Sequence, residues 1–452
     1  MIHSRFAISD FRFPRSPARQ VSGLLVIALL AVGCSAEKPK KQAKSRAVKA
    51  TEELVGRVDD ALAAAARFLV SKQSDDGAWR SAVYGCFRDG PELTPHVLSC
   101  LFFLPQGGES VRPAFDKGAS FMMKLVTKEG AIEPGPHGLN FPVFTAGAAS
   151  RVVVLEKKDE PHLRARSAWL AYLRERQLVE ANGWQFKDPQ YGGWGFSVDI
   201  PQKPRPHDLP GRFYESNLVG TLYGIAALRS AKVPLDDPIY QKTLTFVKRC
   251  QNFSDNLAKG DPYYDDGGFF FIPGEPVQNK AGVAGTDKWG RTRFRSYGTM
   301  TADGLRALIR CGLPLSHPRV VAARRWLEVN FAVDQNAGAF LADREILRNA
   351  TYFYYGWSLA HAMIALDAKE VLTRKGGVRW AEALAKELLA RQRDDGSWRN
   401  IYTDAKEDDP LVATPLAASA LAICRGVITG EHKAIGRPCL TEPPEPKEAP
   451  DP

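Results

Sequence analysis

The chain has 452 residues, of which 44% are hydrophobic and 25% charged, and its formal net charge at pH 7 is +10. This composition is typical of a globular protein and excludes a disordered or collagen-like chain. The net charge is modest for this length, and no basic run is interleaved with stacking aromatic side chains, which argues against a nucleic-acid-binding surface. We therefore expect a folded protein with no nucleic acid among its partners.

The first 33 residues have the pattern of a secretory signal. Four arginines precede an apolar run over Val21–Ala31, which is too short to span a membrane, and small residues then precede Cys34. The pattern resembles the bacterial lipobox, although Ala31 replaces the usual Leu. It predicts a lipoprotein signal peptide over residues 1–33, with Cys34 as the lipidated first residue of the mature chain. The alternative is an ordinary signal peptide that is cut nearby and leaves Cys34 unmodified. In both cases we expect export, and the lipid would anchor the chain to a bacterial membrane on its periplasmic or outer side.

Composition divides the remainder into three segments. Residues 34–56 are basic and have too little apolar surface to fold, which predicts a disordered tether whose lysines can rest on anionic lipid head groups. Residues 431–452 are rich in proline and predict a disordered tail. Between them, residues 57–430 exceed the length that one ordinary core organises, but a repeat architecture extends a single core over such a length.

Six cysteines remain after Cys34, and their spacing resembles no zinc site. Four of them fall in apolar helical runs, where a free thiol behaves as a small core residue: Cys100, Cys250, Cys311 and Cys424. We therefore expect buried free thiols, although an even number of cysteines in an exported protein also permits disulfides. We predict no metal site and no cofactor.

A short turn sequence occurs twice in full, as Gln73–Trp79 and as Gln392–Trp398, each time between two runs with helical periodicity. Four partial copies keep a glycine and a large apolar residue two positions later: Gly130 with Ile132, Gly192 with Trp194, Gly267 with Phe269, and Gly338 with Phe340. Glycine just past a helix supplies the positive φ of a C-terminal cap, and the aromatic side chain packs the turn between helices. Six copies predict six helical hairpins. We expect structural roles for seven turn residues: Gln73, Gly77, Trp79, Trp194, Gln392, Gly396 and Trp398.

Each hairpin is predicted to pair an outer helix with an inner helix. The outer helices are rich in Ala, Leu, Arg and Lys, and begin near Asp60, Pro113, His162, Pro238, Pro318 and Val378. The inner helices are predicted over six apolar runs: Thr94–Leu104, Val143–Leu155, Ser216–Arg229, Thr299–Cys311, Tyr352–Leu366 and Ala413–Arg425. Long polar loops, Asn182–Phe213 and Ser254–Arg295, precede the third and fourth inner helices.

The six inner runs align without gaps when one column holds Leu101, Val152, Leu228, Leu308, Leu366 and Leu421. Seven residues earlier, five of the six runs have a threonine: Thr94, Thr145, Thr221, Thr301 and Thr414. The repeated threonine indicates that the six hairpins are structurally equivalent. We expect its hydroxyl group either to help the inner helix start or to contact a neighbouring helix. Another face of the projected helices carries His96, Tyr223, Asp303 and His361, with Tyr354 one level nearer the N-termini. In a ring of hairpins this face would line a central lumen.

These features resemble a known superfamily. The two full turns, the Asp265–Phe270 turn and the run Arg295–Leu305 are similar to the repeats of the squalene/hopene cyclase and protein prenyltransferase superfamily. More closely, the chain resembles the exported prenyltransferase/squalene oxidase repeat proteins of some bacteria, over about Asp60 to Gly430. The resemblance implies an all-α fold, namely an α6/α6 toroid of six helical hairpins. It is specific for the fold and much less so for an activity.

The chain departs from the catalytic motifs of that superfamily. Class II terpene cyclases protonate an alkene with an acid of a D-x-D-D motif, which occurs nowhere in this sequence. The nearest acid runs, Glu407–Asp409 and Asp265–Asp266, are interpreted as loop turns and caps. Protein prenyltransferases need zinc held by Asp, Cys and His, but no Asp-x-Cys pair precedes a histidine here. The Cys-Gly-Glu-Gln thioester motif of complement-like toroids is also missing from the sequence.

Seven residues remain as candidates for a ligand site in the lumen: His96, Tyr223, Tyr297, Asp303, Tyr354, Trp357 and His361. An acid and two histidines that converge on a closed cavity can do general acid/base work, so Asp303 and His361 are also candidates for catalysis, although no catalytic residue is assigned. The alternative is that Asp303 caps neighbouring backbone and that each histidine satisfies a buried hydrogen bond.

Two functions of different classes are consistent with this sequence. The first is a surface-anchored binding protein whose toroid holds a small molecule such as an isoprenoid, a glycan or an extended peptide. The missing motifs favour it. The second is a terpene-cyclase-like (isomerase) or lyase-type enzyme that acts in the lumen without the known acid motif. A zinc-dependent protein prenyltransferase is not expected.

Overall fold

The computed structural model describes residues 37–105, 108–205, 207, 214–256, 258 and 260–431. The predicted signal peptide, the lipidation site Cys34, and residues 432–452 of the predicted tail lie outside the described residues. The chain divides into two compact units, Met1–Lys49 and Ala50–Pro452. Every packing contact considered below lies within the second unit.

The described residues form thirteen α-helices, so the fold is mainly helical, as the sequence predicts. The helices are α1 (Glu37–Ser71), α2 (Thr94–Phe103), α3 (Gly108–Lys124), α4 (Pro142–Val152), α5 (Glu160–Arg174), α6 (Leu218–Ser230), α7 (Pro238–Arg249), α8 (Gly298–Arg310), α9 (Pro318–Val329), α10 (Glu345–Ala350), α11 (Tyr352–Ala365), α12 (Trp380–Arg391) and α13 (Pro410–Thr429).

Three small antiparallel sheets of two strands each lie in the connections between helices. They pair β1 (Trp194–Gly195) with β2 (Ser216–Asn217), β3 (Val283–Thr286) with β4 (Thr292–Phe294), and β5 (Val371–Thr373) with β6 (Gly376–Val378). Strands β1, β3 and β4 fall within the predicted long loops, whereas β2 lies at the predicted start of the third inner helix. These loops are therefore partly ordered by short hairpins.

The six predicted inner helices correspond to α2, α4, α6, α8, α11 and α13, and each begins within three residues of its predicted start. We call these six the inner helices. Three of them have proline at the first or second position: Pro95, Pro142 and Pro410. The fixed φ of proline suits the first turn of a helix, where backbone N–H groups have no acceptor within the helix, so the N–H that proline lacks is not needed. The short helix α10 was not predicted.

The inner helices contact one another in chain order. Helix α2 packs on α4, α4 on α6, α6 on α8, α8 on α11, and α11 on α13, while α13 also packs on α2. Outer helices pack on this set: α3 on α2, α5 on α4 and α9 on α8 each contact the inner helix of the preceding hairpin, and α12 contacts α13 of its own hairpin. One continuous cluster of buried apolar side chains therefore runs through all six hairpins.

The repeated turns fix where each inner helix begins. In four units the backbone N–H of the aromatic turn residue donates to the threonine of the following inner helix, at 3.0–3.1 Å: Trp79 to Thr94, Trp194 to Thr221, Phe269 to Thr301, and Trp398 to Thr414. All four aromatic side chains are fully buried. The threonine thus joins each turn to its inner helix. Because the bond is the same in all four hairpins, these threonines occupy equivalent positions along their helices.

Glycine is needed in these turns for two reasons. Gly77 and Gly396 have φ values of +99° and +83°, which a residue with a Cβ atom adopts only under strain. A Cβ at Gly77 would lie 2.3 Å from the carbonyl oxygen of Lys117, and one at Gly396 would lie 2.6 Å from that of Ala64. Each of these turns therefore packs directly against the backbone of an outer helix of another hairpin, α3 for Gly77 and α1 for Gly396.

One predicted segment differs in the structure. Residues 34–56 were expected to be a disordered tether, but from Glu37 onward they are the first part of α1. The segment is rich in Lys, Ala, Glu and Arg, which are strong helix formers. Leu54 is buried, so the later part of the segment also contributes to the core. A low apolar content indicates that a segment cannot form a core of its own, but it does not prevent the segment from extending a helix.

Helix α13 is long and apolar enough to cross a membrane by length and composition, and 67% of its most apolar stretch is buried within the protein. It packs on α2, α11 and α12. This environment is that of a core helix.

Five of the six cysteines after Cys34 lie among the described residues, and all five are free thiols. Cys100, Cys250, Cys311 and Cys424 are buried, whereas Cys86 is half-buried. Cys439 lies outside the described residues.

Candidate functional site

A cavity of about 170 Å³ lies between the inner helices, and all six of them contribute to its walls. The lining residues are His96, Ser99, Cys100, Phe103, Gly147, Ala148, Arg151, Leu155, Leu222, Tyr223, Ala226, Ser230, Arg306, Arg310, Trp357, His361, Pro415, Leu416, Ser419, Ala422 and Ile423. Most of this surface is aliphatic or aromatic. Its strongly polar groups are three arginines and two histidines.

Aromatic rings make up one part of the wall. The ring of Tyr223 lies 5.7 Å from that of His96 and 6.3 Å from that of Trp357, which it faces in a stacked arrangement. The Trp357 ring in turn contacts the rings of His361 at 4.7 Å and Tyr354 at 5.5 Å. Helices α2, α6 and α11 therefore present one connected set of rings to the cavity.

Arginines make up another part of the wall. Arg151 belongs to α4, whereas Arg306 and Arg310 belong to α8. No aspartate or glutamate is among the residues that line the cavity in the described part of the chain. The walls are thus cationic at the arginines and apolar elsewhere.

Asp303 holds Arg306 in place from behind the cavity wall. The carboxylate is fully buried and accepts hydrogen bonds from Arg306 Nη1 at 3.2 Å, from the Tyr354 hydroxyl at 2.9 Å, and from the Ser358 hydroxyl. Arg306 Nη1 also donates to Ser358 Oγ at 3.3 Å, and its guanidinium lies 4.7 Å from the Trp357 ring centre. Burial raises the pKa of Asp303, while Arg306 and the two hydroxyl donors oppose that shift.

This arrangement corrects the predicted surroundings of Asp303. We expected its side chain to point into the lumen near His96, His361 or Tyr297, but it is not among the cavity-lining residues, and its side-chain hydrogen bonds go to Arg306, Tyr354 and Ser358. The alternative, a helix-capping acid bonded to backbone amides, also differs from what is found. Asp303 is the buried partner of an arginine that lines the cavity.

Both histidines of the cavity are neutral at pH 7. Burial lowers the pKa of His96 to about 4, and nearby Arg151 adds to this effect. Burial and the positive charges of Arg306, Arg310 and Arg151 hold the pKa of His361 well below its usual range. A neutral imidazole can accept a proton or a hydrogen bond, but it is not a proton source at neutral pH.

The seven predicted ligand-site residues therefore fall into two groups. His96, Tyr223, Trp357 and His361 line the cavity, and three others lie behind it: Tyr297, Asp303 and Tyr354. Tyr297 is buried next to the Phe340 ring, at 5.5 Å, and its hydroxyl has no hydrogen-bond partner among the described residues. The structure thus brings four of the seven into one cavity.

Sequence reasoning missed the three arginines. Arg306 and Arg310 follow Asp303 by three and seven residues, which places them on the same side of α8 one and two turns later. Extending the projected polar face by these two turns would have found them. Arg151 follows Gly147, the residue of α4 equivalent to Asp303, by four residues, so the same extension by one turn would have found it.

The acidic residues of Glu407–Asp409 and Asp265–Asp266, which were interpreted as parts of turns and caps, accept hydrogen bonds from backbone and side-chain donors. Glu407 accepts the backbone N–H groups of Phe353 and Tyr354 at the start of α11, at 2.9 and 2.8 Å, and burial raises its pKa to about 7. Asp409 caps α13 through the N–H of Leu411. Asp266 accepts hydrogen bonds from the side chains of two core residues, Ser296 and Trp326.

None of these acids lines the cavity. The described residues also contain no group of three or more His, Cys, Asp or Glu side chains that could hold a metal ion.

No protein-family model matches the sequence, and no curated protein matches it. Solved structures do match. A variant of the type II terpene cyclase MstE from Scytonema, in complex with its substrate geranylgeranyl dihydroxybenzoate, is 13% identical, covers 83% of this chain and 99% of its own, and has a TM-score of 0.50. A protein from Actinoplanes is 15% identical, over 82% of this chain and 99% of its own, with a TM-score of 0.49. The likeness to the cyclase shows that this chain has a terpenoid-cyclase-like fold.

Proposed function

We propose that this chain is a terpene-cyclase-like protein whose central cavity binds an isoprenoid. The observation that carries the proposal is the cavity itself, because all six inner helices line it and its walls combine aliphatic side chains with the rings of Phe103, Tyr223 and Trp357. Such walls suit a branched, unsaturated hydrocarbon, since removing its apolar surface from water stabilises the complex. The cyclase of the same fold is found with geranylgeranyl dihydroxybenzoate, which supports an isoprenoid ligand here.

Native mass spectrometry of the protein purified from its own membrane tests this proposal. We expect a retained small molecule with the mass of an isoprenoid, and we expect Trp357→Ala to lose it because the indole forms part of the wall. Trp289→Ala is the matched control, because Trp289 is exposed on the loop between β3 and β4. A retained glycan or peptide, or equal retention by wild type and Trp357→Ala, would contradict the proposal.

Turnover of the isoprenoid, by cyclisation or by a lyase-type elimination, is the second candidate function. The fold shared with a type II terpene cyclase favours it. The lowered pKa values of His96 and His361 make their imidazoles weak bases, which can accept a proton from a strong acid such as a carbocation. The cavity lining formed by the described residues includes no carboxyl group, which favours binding instead, because none of these residues supplies the strong acid that alkene protonation needs.

Product analysis separates the two functions. Incubation of the protein with polyprenyl substrates, followed by mass spectrometry and chromatography, would show turnover as a product of equal mass after cyclisation, or of lower mass after elimination. His361→Gln should abolish that product if the imidazole is the base, and should leave substrate retention intact. Unchanged substrate after many hours would support a binding protein.

We also propose that the six hairpins close into an α6/α6 toroid. Three contacts between the two ends of the repeat region support this closure. Helix α13 packs on α2, Arg425 of α13 forms an ion pair with Asp59 of α1, and the Ser81 hydroxyl donates to Asp409. In each case a residue of the last hairpin contacts one of the first.

Export and lipid anchoring stay proposals that rest on the sequence. The basic leader, the short apolar run and Cys34 together support a lipoprotein. Export is also expected from the resemblance to the exported repeat proteins. Fractionation of bacterial cells tests this: Cys34→Ser should move the protein out of the membrane fraction or leave its leader uncut, while a matched Cys439→Ser variant should stay anchored. A wild-type protein that is found free of membranes would contradict the anchor and favour an ordinary signal peptide.

A further inference from the structure

We infer that the molecule bound in the cavity carries an anionic head group, a carboxylate or a phosphate, which Arg151 and Arg306 bind. This inference rests on the proposed function and adds the chemistry of the head group to it. Three observations carry it, namely the position of the arginines along the inner helices, the way in which Arg306 is held, and the charge of the cavity wall.

Arg306 lies further along its inner helix than Tyr223 does along its own. Thr221 and Thr301 occupy equivalent positions, because each accepts the backbone N–H of its own aromatic turn residue at 3.1 Å. Tyr223 lies two residues beyond the first threonine, whereas Arg306 lies five residues beyond the second. At about 1.5 Å per residue, the Cα atom of Arg306 is about 5 Å further toward the C-terminal end of its helix. Its guanidinium reaches back to Asp303 and lies against the Trp357 ring, so the cation is a neighbour of the rings in the cavity wall.

Arg306 is held in a fixed orientation. Its side chain is buried, its Nη1 atom donates to Asp303 and Ser358, and its guanidinium lies against the Trp357 ring. Its Nε–H group is buried and has no hydrogen-bond acceptor among the described residues. A buried donor without an acceptor is unfavourable, and an anionic oxygen in the cavity would satisfy it. Arginine's planar group is also the one that binds carboxylate and phosphate with paired hydrogen bonds.

The wall carries an excess of positive charge. Arg151, Arg306 and Arg310 line it, whereas no lining residue in the described part of the chain is an acid. Asp303 lies behind the wall and forms an ion pair with Arg306, so its negative charge neutralises one of the three positive charges. The largely apolar surroundings lower the local dielectric constant, which strengthens the attraction for an anion. A neutral hydrocarbon would supply no acceptor to the buried Nε–H group of Arg306.

Three probes with the same hydrocarbon tail test the inference: farnesol, farnesoic acid and farnesyl monophosphate. Their affinities are measured on the full protein by calorimetry or by tryptophan fluorescence. We expect at least one of the two anions to bind at least about tenfold more tightly than farnesol, and the preference between the two anions identifies the head group. If farnesol binds as tightly as both anions, the head-group inference is wrong while isoprenoid binding stands. If none of the three binds, isoprenoid binding itself fails.

Two variants assign the effect to the arginines. Arg151→Gln should reduce the affinity for the preferred anion about tenfold and leave that for farnesol unchanged. The double variant Asp303→Asn/Arg306→Gln should also reduce the affinity for the preferred anion about tenfold and leave that for farnesol unchanged. Because it removes both charges of the buried pair, it leaves neither charge unpaired. Arg229→Gln is the matched control, since Arg229 also lies near the end of an inner helix but does not line the cavity. Unchanged anion affinity in folded Arg151→Gln and in the double variant would overturn the inference.

Discussion

The side-chain amide of Gln392 donates to the backbone carbonyl of Ala61, 331 residues earlier in the chain, at 2.9 Å. Gln73 makes the equivalent bond in the first hairpin, to the carbonyl of Ala114 at 2.8 Å. Each glutamine also donates to the glycine carbonyl of its own turn, at 3.0 and 2.9 Å. The contact that joins the first hairpin to the second is therefore repeated between the last hairpin and the first.

Replacing Gln392 by Met tests whether this contact closes the ring. The change leaves two partly buried carbonyl groups without their donor, so the free energy of unfolding should fall by about 1–3 kcal/mol. The same replacement at Gln73 should have a similar effect, because its contacts are equivalent. Chemical denaturation of both variants measures the two losses. In an open array the terminal hairpin would be free to fray, and Gln392→Met would then have a much smaller effect than Gln73→Met.

Trp79 and Trp398 are predicted to be essential for stability. Both side chains are fully buried, and their indole N–H groups donate to Leu69 and Leu388 at 2.7 and 2.8 Å. Replacement of either by Ala should lower the free energy of unfolding by about 3–5 kcal/mol, as for other large-to-small changes in a core. The exposed Trp289, replaced in the same way, should change stability little. Full stability of Trp79→Ala with loss of ligand would instead identify the turn as a binding site.

The local repeat signals explain why much of the fold could be predicted. Each unit carries its own turn glycine, aromatic residue and threonine at fixed spacing, and the hydrogen bond from Trp79 to Thr94 joins two of these residues within one hairpin. Interactions of this kind depend on short separations along the chain, so the sequence alone reveals them. Helix periodicity likewise fixed the faces that line the cavity at His96 and Tyr223.

The partners of Asp303 could not be predicted in the same way. A projection of α8 gives the side on which the carboxylate lies, but not which side chain of α11 reaches it, since that depends on the distance and rotation between two packed helices. The prediction placed His96, His361 or Tyr297 beside the carboxylate. The hydrogen bonds instead come from Ser358 and Tyr354. The arginine three residues later in the same helix lies one turn beyond the position that the repeat alignment compares, so the alignment did not reveal it.

Glu407 is predicted to make stability depend on pH. Its folded-state pKa is raised from 4.5 to about 7 by burial, so between these values the folded state binds a proton that the unfolded state has released. Stability from this group is therefore present below about pH 4.5, falls as the pH rises, and is lost above about pH 7, by about 3 kcal/mol in all. Thermal unfolding across this range should show a smaller fall in Glu407→Gln than in wild type.

The control for this measurement is Asp343→Asn, because the Asp343 side chain is 74% exposed and its replacement should leave the pH profile of wild type unchanged. The difference between the wild-type and Glu407→Gln profiles isolates the contribution of the one carboxyl group. Parallel profiles for these two proteins would show that Glu407 titrates near its ordinary pKa in the folded protein.

The buried pair of Asp303 and Arg306 is predicted to couple strongly. Asp303→Asn alone leaves the guanidinium buried without its counter-charge, and Arg306→Gln alone does the same to the carboxylate, so each change should lower the free energy of unfolding by about 3–5 kcal/mol. Removing both charges together should lower it by much less than the sum of the two. A double-mutant cycle measured by denaturation gives the coupling energy directly.

Arg112 and Asp116 provide the comparison, since both side chains of that ion pair are about half exposed and their coupling should stay below about 1 kcal/mol. A buried pair of this kind is weak evidence for stability in itself, because two apolar side chains often serve a core as well. If the Asp303 and Arg306 losses are additive, the carboxylate does not hold the arginine in place. If they are strongly coupled, the carboxylate holds the arginine in the wall of a largely apolar cavity, as the proposed binding of an anionic head group requires.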